Sequence, residues 1–129
     1  MSYTLKHGRT EFKGGINILA SRDLQWTEHG ITLDAEHTGA KYLPVGTPVC
    51  RNLGTGKYEV YSDGEEGSKP EGYDDFALLN VDVNVDGKHD VIIGEVLIKA
   101  SVYEAKLPDT VTEKFKELTR PLIRYIKHI

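Results

Sequence analysis

Val81, Val83 and Val85 alternate with Asp82, Asn84 and Asp86, a period of two that predicts a half-buried strand with valines inward and acids in water. Residues 57–61 alternate in the same way, with Tyr58 and Val60 set against Glu59 and Tyr61. The segments TPVCRN, GKYEVYS, DFALLNVDVNV and DVIIGEVLIKASVY are rich in Val, Ile, Tyr and Thr. Between them lie the turn clusters NLGTG, SDGEEGSKPEG and DGKHD, so each reads as a strand. Residues 90–102 form the longest and most continuous apolar run and are predicted to be the central strand, with Gly94 marking a bulge. Upstream, LQWTEHGITL (24–33) predicts a short strand ending in Ile31 and Leu33. DAEHTGAKYLP then reads as a loop punctuated by Gly39.

One segment carries a helical signature. In PDTVTEKFKEL, Thr110 and Glu113 have the spacing of a capping box. Asp109 adds negative charge near the positive helix end, and Val111, Phe115 and Leu118 share one face. The helix is predicted over residues 111–119, with Pro121 as its stop. The tail LIRYIKHI fits a period of two and also a spacing of four; a short final strand is favoured over a kinked helical continuation.

The stretch YLPVGTPV (42–49) belongs to neither pattern. Pro44 and Pro48 lack N–H groups and fix φ, which excludes a helix interior and disfavours a central strand. It reads as a rigid corner. Residues 1–22 are polar, carry Gly8, Gly14 and Gly15, and have one apolar segment, INILA; they read as an N-terminal arm. The expected organisation is an arm over 1–22 and a mainly β domain over 23–129 with one short C-terminal helix.

Composition narrows the class. The 129 residues suffice for one domain, and 39% hydrophobic with 28% charged residues argues for a folded, soluble chain. No apolar run approaches the roughly 18 to 20 residues that span a bilayer, so no membrane partner is expected, and the N-terminus lacks the apolar core of a secretory signal. The single cysteine, Cys50, excludes an internal disulfide framework and fits a reducing compartment. A net charge of −4 argues against nucleic-acid binding. The charge is uneven: residues 57–75 carry seven acids against two lysines, and residues 113–129 carry five bases against two acids. These stretches read as solvated faces, or as faces of opposite sign that meet between subunits.

Candidate chemistry is thin. Asp82, Asn84, Asp86 and Gly87 match the first half of a calcium loop, but Ile93 stands where a bidentate glutamate belongs; a strand running into an Asp-Gly turn accounts for them better. GTGK (54–57) lacks the glycine and hydroxyl residue of a phosphate loop and reads as a hairpin turn. The five histidines show no metal-ligand spacing, and Cys50 has no identifiable base partner and reads as a small buried hydrophobe. No catalytic residue, metal or cofactor is assigned, and the balance favours a structural or binding protein over an enzyme.

The order of parts does have a counterpart. A polar arm ending in INILAS is followed by the corner LPVGTPV, then TGKYEVY, then DDFALLNVDVNVDGKHDVIIGEVLIKASVYEAKLP, a helix and a short apolar tail. This resembles the head-decoration proteins of tailed bacteriophages, the lambda-decoration-protein kind, over residues 16–129; LPVGTPV and VLIKASVYEAKLP are the most telling pieces. The acidic loop at 62–75 is longer than that pattern expects. The resemblance implies a compact β-tulip-like domain that assembles as homotrimers on the outer surface of the virion. There it would cement the major capsid protein of the expanded head through its arm, after assembly in the host cytoplasm. The arm residues that would bind the capsid are Tyr3, Leu5, Phe12, Ile16, Ile18 and Leu19. The alternative is a β-sandwich module of a head fibre or tail component that binds a host glycan through Trp26, Tyr42 and Tyr73.

Overall fold

The computed structural model describes residues 17–120 and 122–127, and over these the chain is mainly β. Its strands are β1 (Gln25–Trp26), β2 (Ile31–Leu33), β3 (Ala40–Leu43), β4 (Pro48–Asn52), β5 (Tyr58–Val60), β6 (Tyr73–Leu79), β7 (Val83–Asp86), β8 (Val91–Ile93), β9 (Val96–Tyr103) and β10 (Ile123–Ile126). Two helices accompany them, α1 (Ala35–Thr38) and α2 (Glu113–Thr119). The main sheet runs β1-β9-β6-β4-β5-β2-β8, with β10 joining β9 in parallel, while β3 and β7 form a separate antiparallel pair. The strand reading of the tail therefore holds: Ile123 to Ile126 pair in turn with Ala100 to Tyr103.

The apolar run at 90–102 is two strands, not the single one expected. Gly94 and Glu95 break it, and β8 pairs with β2 at the far end of the sheet from β9. The break is set by contacts from segments distant in sequence. The carbonyls of Glu95 and Val96 accept from Asn80 and Thr27, at 2.9 and 2.8 Å, while the Ile93 carbonyl lies against the backbone of Gly30. A Cβ there would come within 2.5 Å of that oxygen, and Gly30 has φ +73°. The sheet curls into a half-barrel, and the break sends β8 and β9, adjacent in sequence, to different regions of it.

Two helix expectations are also corrected. Residues 34–38 are not loop: the Asp34 carboxylate accepts from His37 N and starts α1, a single turn too short to show periodicity. For α2 the cap is Thr112, whose Oγ1 accepts from Phe115 N at 3.2 Å, and not Thr110. The chain from Pro108 to Val111 closes its own turn (Val111 N to Pro108 O, 3.1 Å), which delays the helix until Glu113. Val111 still packs inward, at 8% exposure.

The sheet is buried on both faces. One core gathers Cys50, Tyr61, Leu78, Leu97, Ala100 and Val102 under Phe115 of α2 and Ile123 and Tyr125 of β10. The other gathers Val49, Ala77, Leu79 and Val96 with Val83 and Val85 of β7 and Ala35 of α1. Neighbours such as Val49 and Cys50, or Leu78 and Leu79, thus enter opposite cores, as alternation requires. Two register shifts adjust this alternation. Across β1, Gln25 meets Lys99 and Trp26 meets Leu97, which skips Ile98 and lets Leu97 and Ala100 share a core. In β6, two residues, Asp75 and Phe76, oppose Cys50 alone. Asp75, within this bulge, adopts φ +47°, a left-handed conformation that one class of bulge uses.

The N-terminal end of the described chain belongs to this body, ahead of the boundary drawn at residue 22. Ile18 O accepts from Tyr103 N, and Ala20 N donates to Ser101 O, both at 2.8 Å. Leu19 bridges Val102 in antiparallel fashion.

The corner at 44–47 carries the chain from the two-stranded sheet into the main one. Thr47 donates to the Pro44 carbonyl through both N (3.2 Å) and Oγ1 (2.7 Å). Gly46 N donates to Leu79 O, and Leu79 N donates to Thr47 O. Pro48 then opens β4, one of the strand positions that tolerate proline. Gly46, at φ +93°, lies so close to Leu107 and Pro108 that a Cβ would meet Pro108 Cδ at 2.9 Å. Gly46→Ala is therefore expected to destabilise the fold by about 1 to 3 kcal/mol, measured as a lowered urea midpoint at unchanged slope; wild-type stability would contradict this account of the corner.

Candidate functional site

The sheet places one carboxylate inside the molecule. Glu59, in β5 opposite Cys50 of β4, is 2% exposed. Its Oε1 accepts from the Tyr73 hydroxyl at 2.6 Å and lies 3.0 Å from His37 Nε2. Its Oε2 accepts from Asn52 Nδ2 at 3.0 Å. The donors come from the start of β6, from α1 and from the end of β4, so one side chain ties three segments to β5. The bond to Glu59, with burial, pushes the Tyr73 phenol up to about 12. Burial, with the nearby charges of Glu59 and Asp74, pushes the Cys50 thiol up to about 12. That thiol is protonated and unreactive at neutral pH. A carboxylate with its oxygens engaged and almost no exposure is a clamp, and it offers a substrate no approach.

Alternation alone left Glu59 undiscovered. The available signal was Tyr61, two residues on and therefore on the same face. An aromatic residue that is 2% exposed marks that face as covered.

Around this clamp the acidic stretch is largely consumed. Arg51 holds Asp74 through Nε (2.8 Å) and Nη2 (2.6 Å) and reaches Asp75 at 3.5 Å, fastening the bulge. Asp63 accepts from Tyr61 and Thr112, both at 2.7 Å. Glu65, Glu66 and Glu71 remain exposed. The basic stretch is thinned likewise: Lys116 is buried against Glu104 and Glu113, leaving Arg120, Arg124 and Lys127 outward. Both charged faces are smaller than their sequence counts suggest.

A polar hollow of about 460 Å³ lies beyond α1, lined by Asp34, Glu36, Lys57, Lys88, His89 and Asp90. Asp90 accepts from Ala35 N (3.0 Å) and pairs with Lys57 (2.7 Å). Asp86 accepts from Lys88 N and His89 N and lies 2.8 Å from His89 Nδ1. These bonds hold the Asp86 carboxyl well below its ordinary range, and the same carboxylate raises the His89 imidazole. Among the described residues no group of three or more His, Cys, Asp or Glu side chains is placed to hold a metal ion, and no helix is long and apolar enough to cross a membrane.

Of the arm residues expected to bind a capsid, Tyr3, Leu5, Phe12 and Ile16 lie outside the described residues. Ile18 is fully buried in the core beneath α2, and Leu19 packs half-buried against it. The aromatics of the glycan alternative lie on separate strands, Trp26 on β1, Tyr42 on β3 and Tyr73 on β6, and the Tyr73 hydroxyl is engaged by Glu59. Comparison with known protein families, curated proteins and solved structures gave no match.

Replacing Glu59 leaves the donors of Tyr73 and Asn52 without their acceptor. Glu59→Ala should lower the unfolding free energy by about 3 kcal/mol, and Glu59→Gln by less, in equilibrium denaturation; an alanine variant as stable as wild type would remove the clamp from the account.

The Asp86–His89 pair predicts a pH window. A raised His89 contributes fully below the ordinary histidine value and less as pH rises through its folded value. A depressed Asp86 contributes above the ordinary aspartate value and less as pH falls through its own folded value. The turn should be tightest between those limits. In a proton NMR titration His89 should titrate above 6.5, the ordinary value, and Asp86→Asn should bring it down; an unchanged midpoint would rule out the pairing.

Proposed function

We propose that this chain is a capsid decoration protein that binds the outer surface of a phage head as a homotrimer and stabilises the expanded shell. One observation carries the reading beyond sequence resemblance. The two segments that support the resemblance most, LPVGTPV and VLIKASVYEAKLP, meet at one joint, where Gly46 packs beneath Leu107 and Pro108. Ile18 Cγ2 lies 3.8 Å from the Cβ position of the same glycine. The described start of the chain is thereby packed against the Pro44–Pro48 corner.

A cementing protein needs this arrangement. Its arm must transmit load to a body that does not deform, and three arms on one trimer act at high effective concentration, so that avidity exceeds a single contact by roughly 100-fold or more. A trimer also suits a local three-fold axis of an icosahedral shell. Exposed charge pairs contribute only about 0 to 1 kcal/mol each, so apolar and backbone contacts of the arm would carry most of the attachment, and salt would weaken it modestly.

The test is rebinding to expanded heads stripped of decoration, with bound copies counted and heat resistance measured. Saturation in multiples of three, sturdier heads and loss of binding on deletion of residues 1–15 are the expected results. Heads no sturdier when coated, or no saturable binding, would defeat the proposal.

A further inference from the structure

Two open strand edges of the described chain carry opposite charge. Among the described residues β8 pairs only with β2, and β10 only with β9. Beside β8 lies a groove of about 370 Å³ whose lining includes Ile92 and two carboxylates, Asp82 and Glu95. Ile92 is 79% exposed, and Glu95 is exposed too. At the other edge, Arg124 lies within β10, with Arg120 before it and Lys127 after it, all exposed. Leu122, at the start of β10, is 57% exposed. The remaining open strands, β1, β3 and β7, carry at most one base in or immediately beside them. An open edge with an outward apolar side chain is a template for another strand.

Charge selects the occupant, and the fold requires that it come from a second copy. An acid-rimmed edge favours a basic strand. Both strands are fixed by their own partners, β8 by Ile31–Leu33 and β10 by Ala100–Tyr103. Five strands stand between them in the sheet order, so they do not meet within one chain. Alternation sets the register. Ile92 is outward beside buried Ile93, and Leu122 is outward beside buried Ile123. Opposed residues in a ladder share a face, which sets Ile92 against the neighbour's Leu122. In either strand direction Arg120 and Arg124, flanking Leu122, then come beside Asp90 and Glu95, which flank Ile92. Such a contact is head to tail, and it closes into a ring where the rotation allows. The three residues of β8 make a short joint, but in a closed ring every copy is held twice, which raises the effective concentration at each joint.

We propose that β10 of one copy adds as a strand to β8 of the next, with Leu122 packed on Ile92 and Arg120 and Arg124 against the acidic rim. In the decoration reading the ring so formed is the homotrimer, and to that extent the inference rests on that reading. The contact itself is measured on the free protein, whereas decoration is tested on heads, so the two can fail separately.

The test uses two full-length variants with different tags, Ile92→Cys and Leu122→Cys, mixed under mild oxidation and read by mass spectrometry. The native Cys50 is buried and stays out of the reaction. Both sites are exposed enough for substitution to leave the fold intact. Leu53→Cys, at a site 57% exposed on the β4–β5 turn, replaces either partner to report chance collision. Disulfide between Ile92→Cys and Leu122→Cys should exceed that control by about ten-fold, as docking replaces collision. Glu95→Lys, built into both cysteine variants, should cut the excess by about three- to ten-fold, and adding Arg120→Glu and Arg124→Glu to the same chains should restore most of it. Yield no higher than the control would overturn the proposal, as would charge-swapped chains that cross-link no better than those with Glu95→Lys alone. So would Ile92→Cys joining preferentially to itself, since β8 would then pair with its own copy about a two-fold axis.

Discussion

Strand β9 is bonded along both of its edges, and most of the structure hangs from that fact. On one edge it takes β1 and then Leu19; on the other it takes β6 and then β10. Leu97 and Val102 each face partners on both sides. Its two faces enter different cores, Val96 and Ile98 one and Leu97, Ala100 and Val102 the other, so the strand is apolar apart from Lys99 and Ser101, and the shift at Ile98 turns Ala100 and Val102 toward α2. The first described residues, the last described strand and the middle of the chain are thereby gathered around eight residues, with no contribution from a disulfide or, among the described residues, from a metal cluster.

The corner at 44–47 answers to the same constraint. A sheet covered on both faces needs a second layer, supplied on one side by β3 and β7, and the chain must pass from that layer into the main sheet within a few residues. Proline at both ends fixes the approach, and glycine between them allows a positive φ and close contact with Leu107 and Pro108. Longer side chains at 46 would push the start of β4 away from the segment that leads into α2.

What the sequence disclosed and what it withheld divide along a physical line. Periodic signals with a free face were readable: the valines of β7, the helix face at Phe115 and the hairpin at 54–57. Two-sided burial was not, because a continuous apolar run has no period. Residues 90–102 therefore looked like one strand, and their division depends on Gly30 and Thr27, distant in sequence. The cap of α2 was misplaced because Thr110, with Glu113 three residues on, has the spacing of a capping box that Thr112 lacks, and the turn from Pro108 to Val111 overrides it. Glu59 was hidden for a related reason. Its face is closed by Asn52, Tyr73 and His37, none of which is near it in the two-residue pattern of β5.

These features bear on how a small β domain can keep its shape while its end is engaged elsewhere. A force applied through the segment before Asn17 arrives first at Ile18, whose carbonyl is bonded to Tyr103 and whose side chain is wholly buried. From there it passes into β9 and is shared with β1, β6 and β10 at once, and into the corner through the contact at Gly46. The route avoids the exposed acidic loop and the polar hollow beside α1. Were that end engaged elsewhere, as proposed, the load would thus meet the most extensively paired strand of the described chain first.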